Sequence, residues 1–442
     1  MLEPELSNKD IKINKVVTDS RQVSPGDMFV ALIGERDDGH NYITDAVRAG
    51  ASAVLAQRWP EDLRTGTETV IKIIVDDTGQ ALRCMASGWR EKHAVSVVGI
   101  TGSVGKTSTK DATAALLSTK FEVLKSQGNL NTEIGVPLTL LELKVSHEKA
   151  VLEMGMYVPG DIALLCTIAK PDVGVVTNVG PTHMERTGSL EATAKAKREL
   201  VEALTKDGTA ILNGDDPLVL SMSEHTKAKK IVYGTRTGLD LWAEGLRSNG
   251  LSGISFTMHW LSEKMEMDTP LVGRHSVYTA LAAAGVALSQ GLSLEEVALG
   301  LRDLVDVNRI KIVQGPMEST ILDDTYNASP ASCIAALDLL SQMPGQKIAV
   351  LGDMLELGRG EEAGHREVGR RAAEVADYVV TLGIRARFIA DEATKAGLSN
   401  VEPADTHDEA IKIIKEVMRQ GANILVKGSR GLAMENIVRG LA

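Results

Sequence analysis

Aromatic residues, cysteines and excess positive charge are all scarce in this sequence of 442 residues. Phe, Trp and Tyr together make up 3% of the chain, so aliphatic side chains and methionine must fill the interior. The formal net charge of -11 argues against a nucleic-acid partner, because binding a phosphate backbone requires a basic face. A small phosphorylated ligand remains compatible with this charge, since it needs only a local positive site.

The three cysteines, Cys84, Cys166 and Cys333, are widely spaced and form no C-x-x-C pair. This pattern is typical of a reduced cytoplasmic protein, and we expect none of the three to be catalytic. The most apolar stretch, residues 280–288, is too short to span a bilayer. The amino terminus carries acidic residues and lacks the apolar region of a signal peptide. We therefore expect a cytoplasmic chain without a membrane span.

Strand and helix patterns divide the chain into three units. Residues 1–90 contain strand patterns at 26–34 and 51–57 among turn signals, and they predict a small mixed α/β unit. Residues 91–307 open on the apolar strand AVSVVGI and continue with four similar strands, which predicts a doubly wound α/β sheet. Residues 308–442 contain the strands STILDD, QKIAVLGD, DYVVTLG and NILVKGS, which indicate a second, smaller Rossmann-like sheet.

The segment GITGSVGKTSTK, which begins at Gly99, resembles a phosphate-binding loop with displaced glycines. Gly105, Lys106 and Thr107 complete the strict pattern G-x-x-x-x-G-K-[ST], but Ile100 occupies the position of its first glycine. An apolar strand precedes the loop and a helical pattern follows it, so N–H groups at the helix start would form an anion site. In such a loop the lysine reaches the β- and γ-phosphates and the threonine holds Mg²⁺. A tight glycine turn without a ligand is the alternative, and the context favours nucleotide binding.

Two more polar residues follow apolar strands of the same predicted sheet. Glu153 ends the strand in AVLEMGM, and His183 follows the turn at Gly180 and Pro181 in VVTNVGPTHMERTG. The carboxyl ends of parallel strands lie at one edge of a sheet, where ligands bind. A carboxylate and an imidazole both bind divalent cations, although Mg²⁺ prefers oxygen. Each residue alone is explained as well by a surface position, but beside a phosphate loop we expect both to bind a metal.

The segment SLEATAKAKRELVEAL predicts a helix with Ser189 as its N-cap and one lysine on its apolar face. Lys197 lies seven residues from both Leu190 and Leu204, in the middle of that face, whereas Lys195 projects to the opposite side. A lysine that faces the core is unfavourable unless it is paired, and burial lowers its pKa. Either the side chain extends to water, or it is modified, since a neutral amine that takes up CO₂ becomes a carbamate that binds metal.

These segments resemble the Mur ligases, ATP-dependent amide-forming enzymes of peptidoglycan precursor synthesis. The resemblance covers nearly the whole chain, and its motifs occur in the family order: TDSRQVSPGDMFVALIGERDDGHNYI, GITGSVGKTST, GNLNTEIGVP, EMG, TNVGPTH, AKAKREL, ILDDTYNASPAS, AVLGDMLELG, HREVG and VKGSRG. GITGSVGKTST is similar to the family's own version of the phosphate loop, which accounts for Ile100. The pair DDTYNASP and GDMLELG is similar to the member that adds D-alanyl-D-alanine to UDP-N-acetylmuramoyl-tripeptide.

The resemblance implies an architecture and an activity. The first unit would bind the UDP-sugar, the central unit ATP, and the third unit ATP and the incoming dipeptide. The enzyme would use ATP and Mg²⁺ to form the amide through an acyl phosphate, and its product would serve cell-wall growth, cell shape and cell division. We expect it to act as a monomer.

The resemblance also implies roles for individual residues. Lys106, His183 and Lys197 would be catalytic, and Lys197 aligns with a lysine that is carbamylated in relatives. The metal ligands would be Thr107, Glu153, His183 and Lys197. The ATP-binding residues would be Thr101, Gly102, Ser103, Val104, Gly105, Lys106, Thr107, Ser108, His275, Arg309, Asp324, Tyr326 and Asn327. The substrate-binding residues would be Ser20, Arg21, Asn131, Thr132, Lys427 and Ser429.

The sequence departs from the family pattern at two places. Asn308 precedes the arginine matched by Arg309, where the family often has glycine. Ser276 and Thr279 occupy the asparagine positions of the segment that contacts adenine in the family, although both hydroxyls retain hydrogen-bonding ability. These departures bear on how the chain would bind ATP.

Three alternative functions differ from this one. A related ligase would use another acceptor, such as folate with glutamate, but the N-terminal DSR and DDGH segments fit a UDP-sugar better. A simple phosphate-loop kinase or GTPase would leave the third unit without a role. A nucleotide-gated partner of cell-wall enzymes would bind ATP without catalysis, and the two departures are compatible with that class.

Overall fold

A small parallel sheet forms the first unit of the computed structural model, which describes residues 12–35, 37–61, 70–181, 184–305, 307 and 310–442. Its four strands lie in chain order, β1 (Val16–Val17), β2 (Met28–Val30), β3 (Ala53–Ala56) and β4 (Ile71–Ile74). Helix α1 (Ile43–Arg48) ends just before Gly50, whose φ of +98° suits the left-handed turn that terminates a helix.

Helix α2 (Thr78–Glu91) attaches the first unit to the second. Its Leu82 is fully buried between the first sheet and apolar side chains of the second unit, among them Ile134 and Leu138. Near the end of the helix, the Trp89 indole N–H donates to the carbonyl of Leu143 at 3.1 Å. The first two units are therefore joined by shared apolar core.

The second unit contains a nine-stranded sheet in the order β13-β12-β11-β10-β9-β8-β5-β7-β6. The strands are β5 (Ser96–Thr101), β6 (Val123–Lys125), β7 (Lys149–Glu153), β8 (Val173–Val176), β9 (Thr209–Asn213), β10 (Lys229–Gly234), β11 (Leu241–Ser248), β12 (Ile254–Trp260) and β13 (Glu263–Thr269). The run from β6 to β11 is parallel, as predicted for β5 and for β7 to β10, whereas β11, β12 and β13 pair antiparallel. The sequence interpretation missed the short strand β6 and these last three strands, of which β11 is interrupted by a bulge between Glu244 and Arg247.

Helices cover this sheet on both faces. They are α3 (Lys106–Ser118), α4 (Gly135–Leu140), α5 (Asp161–Ala169), α6 (Met184–Thr187), α7 (Leu190–Glu202), α8 (Pro217–Ser221), α9 (Ser276–Ser289) and α10 (Leu294–Arg302). A capping box starts α10: Ser293 Oγ accepts from the Glu296 N–H at 3.1 Å, and the Glu296 carboxylate accepts from the Ser293 N–H at 2.7 Å. Helix α9 is almost entirely buried, which explains its uninterrupted apolar sequence.

The third unit is a six-stranded sheet in the order β14-β15-β19-β16-β17-β18. Its strands are β14 (Lys311–Gln314), β15 (Thr320–Asp324), β16 (Lys347–Gly352), β17 (Tyr378–Leu382), β18 (Val401–Ala404) and β19 (Asn423–Lys427). Its helices are α11 (Pro330–Ser341), α12 (Glu361–Val375), α13 (Arg387–Lys395), α14 (His407–Val417) and α15 (Glu435–Leu441). Only β14 is antiparallel to its neighbour, so the predicted three-part α/β architecture with a Rossmann-like third sheet is confirmed. Among the described residues, no helix is long and apolar enough to cross a membrane.

Candidate active site

The phosphate loop joins the end of β5 to the start of α3. Gly102 has φ of +150°, and a Cβ there would lie 1.8 Å from the Thr177 hydroxyl oxygen. Gly105 has φ of +85° immediately before the first residue of α3. Ile100 is a fully buried residue of the central strand β5. The loop therefore has glycine where the backbone requires it. The position at which the strict pattern has its first glycine, occupied here by Ile100, lies inside a strand.

The residues after the neighbouring strand β8 hold the loop in place. The Val104 N–H donates to Asn178 Oδ1 at 2.8 Å, while the Thr177 hydroxyl donates to the Val104 carbonyl at 2.7 Å. Ser103 Oγ donates to the Gly180 carbonyl at 3.0 Å. The sequence interpretation gave Thr177 and Asn178 no role. Their position after a strand adjacent to the phosphate loop is the signal that would have identified them.

Thr107, Glu153 and Asn131 form a hydrogen-bonded cluster beside the loop. The Thr107 hydroxyl donates to Glu153 Oε2 at 2.8 Å, and the Asn131 amide donates to Glu153 Oε1 at 2.8 Å. Glu153 is 3% exposed, so both carboxylate oxygens are engaged in a largely dry setting. Nearby, Thr132 Oγ1 accepts from the N–H of Gly135, the first residue of α4, at 3.3 Å. The expected metal residues Thr107 and Glu153 thus lie together.

Lys197 is buried where the helical spacing predicts it. Ser189 caps α7 by accepting from the Ala192 N–H at 3.1 Å, and Lys197 on that helix is 1% exposed while Lys195 is exposed. Burial holds the pKa of the Lys197 amine well below its usual value, and the positive charge of Lys106 lowers it further. The expected apolar face is confirmed at its centre, where Leu200 and Val201 are also buried.

One cavity of about 340 Å³ brings these groups together with loops of the third unit. On the second unit its wall includes Lys106, Thr107, Glu153 and Lys197. On the third unit the wall is formed by residues that follow β15, β16 and β19: Tyr326, Asn327, Leu355, Glu356, Leu357, Ser429 and Arg430. The Arg430 guanidinium lies 5.5 Å from the centre of the Tyr326 ring. The cavity therefore has a phosphate-loop wall and a separate wall of polar loop residues.

A second cavity of about 390 Å³ also borders the phosphate loop. Its wall includes Gly105 and Ser108 from the loop and helix α3, His275 and Thr279 at the start of α9, and Asp324. Lys427 also lines it, and the Lys427 ammonium donates to Asp324 Oδ2 at 2.5 Å and to the Asn327 carbonyl at 2.9 Å. Its mixture of apolar surface with a few polar groups suits an organic ring attached to phosphates.

The serine at the first family asparagine position is committed to the backbone. Ser276 Oγ donates to the Val272 carbonyl at 2.7 Å, so its proton serves the helix start. Thr279 is 8% exposed and faces the second cavity. Of the two substituted positions, Thr279 is therefore the better placed for a ligand contact.

The expected UDP-contacting pair lies apart from these cavities. Ser20 and Arg21 belong to a short 3-10 helix of the first unit, whereas all described residues that line the two cavities come from the second and third units. The Arg21 guanidinium donates to both carboxylate oxygens of Asp19, at 2.9 and 2.8 Å. This pairing lowers the pKa of the Asp19 carboxyl to about 2.

Three expected positions, His183, Asn308 and Arg309, lie outside the described residues. Within the described ranges, no group of three or more His, Cys, Asp or Glu side chains is arranged to hold a metal. No disulfide joins the three cysteines, all of which lie in the described part of the chain, and burial raises the pKa of the Cys166 thiol to about 12, which favours the unreactive protonated form.

Family comparisons agree with the three-unit architecture. The model of the Mur ligase family catalytic domain matches residues 12–90, that of the Mur ligase middle domain matches residues 100–287, and that of the Mur ligase glutamate ligase domain matches residues 308–430. Together these matches extend over most of the chain.

Individual relatives are similar over nearly their full length. The UDP-N-acetylmuramoyl-tripeptide--D-alanyl-D-alanine ligase of Bacillus subtilis is 38% identical, with 97% of this chain and 93% of the relative covered. The ligase of the same name from Escherichia coli is 37% identical, with 100% and 96% covered. Among solved structures, MurF from Acinetobacter baumannii has a TM-score of 0.87 at 32% identity, covering 97% of this chain and 93% of that one. MurF ligase from Thermotoga maritima in complex with ADP has a TM-score of 0.85 at 30% identity, covering 98% of each chain.

Proposed function

The chain belongs to the Mur ligase family, and we propose that it joins D-alanyl-D-alanine to UDP-N-acetylmuramoyl-tripeptide while converting ATP to ADP and phosphate. The observation that carries this proposal is the two-walled cavity, in which the phosphate loop faces polar loops of another unit. Phosphoryl transfer to water needs no second wall. A ligase needs one, because it must bring together an acid, a phosphoryl donor and an amine.

The chemistry explains why ATP is required. A carboxylate does not acylate an amine directly, because oxide is a poor leaving group. One carboxylate oxygen of the tripeptide attacks the γ-phosphorus, the bond to the β-phosphate oxygen breaks, and an acyl phosphate and ADP result. The dipeptide amine then attacks the acyl carbon and loses a proton, and phosphate leaves with the electron pair of the C–O bond. Negative charge on the phosphoryl oxygens makes fixed cations and N–H donors effective stabilisers.

We propose that residues 101–108 hold the phosphates during this transfer. The N–H groups at the start of α3 point toward the loop, and the helix dipole favours an anion there. Lys106 is the first residue of α3, and its ammonium donates to the Gly102 carbonyl at 2.7 Å and the Ser103 carbonyl at 3.2 Å. The cation is thus inside the loop, where a γ-phosphoryl group would gain most from it.

The oxygen atoms beside the loop fit Mg²⁺. Thr107 Oγ1 and Glu153 Oε2 lie 2.8 Å apart, and hydroxyl and carboxylate oxygens are the hard ligands that Mg²⁺ prefers. We propose that these two residues hold the ion, with His183 as a further ligand. When bound, Mg²⁺ would neutralise charge on the β- and γ-phosphates.

We also propose that Lys197 is carbamylated. Burial favours the neutral form of its amine. That neutral amine would gain CO₂ and release one proton, which turns a buried basic side chain of this wall into an anion. Two observations support the proposal: Lys197 is 1% exposed yet lines the cavity, and Lys106 already supplies positive charge in the same wall. The carbamate oxygens would join Thr107 and Glu153 as ligands of Mg²⁺.

The remaining expected residues divide among three substrates. We propose that Asp324 contacts the ATP ribose and that the polar loops of the third unit receive the dipeptide. Other nucleotide contacts would come from His275, Arg309, Tyr326 and Asn327. The dipeptide would contact Lys427 and Ser429, the muramoyl-peptide Asn131 and Thr132, and the UDP portion Ser20 and Arg21. The units that carry these sites would be residues 1–90, 91–307 and 308–442, and the enzyme would work in the cytoplasm.

Because the reacting groups are bound on different units, we propose that the third unit closes over the second before reaction. Closure would position the carboxylate and the amine and limit hydrolysis of the acyl phosphate. Small-angle scattering with a non-hydrolysable ATP analogue and both other substrates should show compaction. An unchanged radius of gyration under saturating conditions would contradict closure.

Phosphate release with substrates omitted one at a time tests the proposed function. A ligase of this specificity should release phosphate only when the UDP-tripeptide and D-alanyl-D-alanine are both present with ATP. Rapid release with neither would indicate a simple nucleotidase, and release with glutamate and folate in their place would indicate the other ligase class. ATP binding without turnover under any condition would indicate a non-catalytic protein.

A further inference from the structure

The loop of residues 353–357 forms part of the third-unit wall and contains a backbone conformation that is unusual for its sequence. Leu355, Glu356 and Leu357 line the first cavity, and Glu356 has φ of +64°. A non-glycine residue keeps a left-handed backbone only where its surroundings hold it there. The groups that fix this loop therefore determine the shape of the wall.

Three consecutive N–H groups of the loop have separate acceptors. The Asp353 N–H donates to the Leu382 carbonyl at 3.2 Å. The Met354 N–H donates to His365 Nε2 at 3.0 Å, and the Leu355 N–H donates to Ser429 Oγ at 2.9 Å. His365 lies on α12 and is the one acceptor of the three whose ability to accept depends on its protonation state.

We propose that His365 is a positioning residue that holds the 353–357 loop in the shape required to receive the amine substrate. Its side chain is fully buried. Nδ1 lies 2.7 Å from the Glu361 carbonyl oxygen, which is only an acceptor, so Nδ1 carries the proton and Nε2 has a lone pair for Met354. The contact thus requires the neutral ring with its proton on Nδ1.

The surroundings favour that neutral ring. Burial is the largest effect and lowers the pKa of His365 below its usual value of 6.5. The contact with the Glu361 carbonyl and the negative charges of Asp353 and Glu361 raise the pKa by less, and the positive charge of Arg385 lowers it further. These groups come from α12, from the loop itself and from the segment after β17. At neutral pH the imidazole therefore remains an acceptor for the Met354 N–H.

The role in substrate binding rests on the proposed function, whereas the role in holding the loop does not. Hydrogen exchange in the free protein tests whether His365 holds the loop. His365→Leu should lose protection of the Met354 and Leu355 amides, and His365→Gln, whose amide oxygen can accept, should retain much of it. Unchanged exchange in His365→Leu would overturn the inference even if the ligase activity were established. Absence of ligase activity in the wild type would instead refute the proposed function.

Steady-state kinetics tests the role of His365 in substrate binding. His365→Leu should raise the KM for D-alanyl-D-alanine roughly tenfold and change the KM values for ATP and the UDP-tripeptide less than about threefold, because the contact shapes only the third-unit wall. His365→Gln should reverse most of the increase in the KM for D-alanyl-D-alanine. Equal increases in all three KM values, or no increase, would overturn the proposal.

His93→Leu provides a matched control. His93 is also largely buried, and its Nδ1 likewise lies 2.8 Å from a carbonyl oxygen four residues earlier, that of Trp89, but it does not line either cavity. Its replacement should leave all three KM values within about twofold of the wild type. If His365→Leu loses hydrogen-exchange protection throughout the third unit, the test uses His365→Asn instead. Its shorter side chain stays polar but does not reach the Met354 N–H. A wild-type KM for D-alanyl-D-alanine in His365→Asn would overturn the proposal.

Discussion

The two walls of the first cavity are held by different kinds of contact. In the second-unit wall, residues at the ends of adjacent parallel strands bond to one another, as in the contact of Thr107 with Glu153 and that of Val104 with Asn178. In the third-unit wall, Ser429 likewise joins the ends of two adjacent parallel strands, β19 and β16, but the loop after β16 is also held by His365 of helix α12. The first arrangement follows from the strand order of one sheet, whereas the second also depends on a side chain that a helix supplies. We call the second-unit wall the phosphate wall and the third-unit wall the loop wall. We expect changes in the phosphate wall to affect the chemical step and changes in the loop wall to affect binding of the amine.

Removal of the phosphate-loop cation should have the largest effect. Lys106→Ala should lower kcat about 10³-fold, because the cation acts where charge develops during phosphoryl transfer. Steady-state phosphate release at saturating substrates measures this effect. Lys120→Ala, in the exposed turn that follows the same helix, should retain activity. A loss below about tenfold in Lys106→Ala would remove the basis for assigning the phosphate wall to the chemical step.

Replacement of the buried lysine should have the next largest effect. Lys197→Ala should lower turnover at least about 10²-fold, and a small carboxylate such as acetate should restore part of it by supplying the missing anion. Lys195→Ala, two residues away on the exposed face, is the control and should behave as the wild type. Full activity of Lys197→Ala without added carboxylate would show that the lysine is only structural.

The phosphate wall was also the part most readily predicted from the sequence. The glycine, lysine and threonine pattern identifies its loop, and helical spacing identifies Lys197, because both signals lie within a short segment. Contacts between distant segments were not predicted: Asn131 with Glu153, Asn178 with Val104 and His365 with Met354 depend on how strands and loops are brought together in space. For the same reason the antiparallel strands β11–β13, whose pairing is specified by neighbours, escaped prediction.

A smaller effect, confined to binding, is expected in the loop wall. Ser429→Ala removes the acceptor of the Leu355 N–H and should raise the KM for D-alanyl-D-alanine about tenfold, with kcat and the KM for ATP changed less than threefold. Ser341→Ala removes a hydroxyl that bonds only to its own helix, through the Asp338 carbonyl, and should have no kinetic effect. A decrease in kcat alone for Ser429→Ala would contradict the assignment of this wall to amine binding.

The smallest expected effect is on stability at mildly acidic pH. The pKa of His365 is lowered in the folded chain, so the unfolded chain binds more protons at this position as the pH falls below about 6.5. The folded state is therefore destabilised below that pH and not above it. Between pH 7.5 and 5.5 the wild type should therefore lose about 2 °C more in melting temperature than His365→Gln, which has no titrating group at this position. Equal losses in the two proteins would indicate that His365 does not titrate in this range.

The fate of the carboxylate oxygen tests the central claim most directly. The UDP-tripeptide, labelled with ¹⁸O in its reacting carboxylate, would be incubated with ATP and D-alanyl-D-alanine, and the released phosphate analysed by mass spectrometry. If the phosphoryl group passes to the carboxylate, each phosphate should carry one oxygen from that carboxylate. Phosphate without this label, with its new oxygen drawn from water instead, would contradict an acyl-phosphate mechanism.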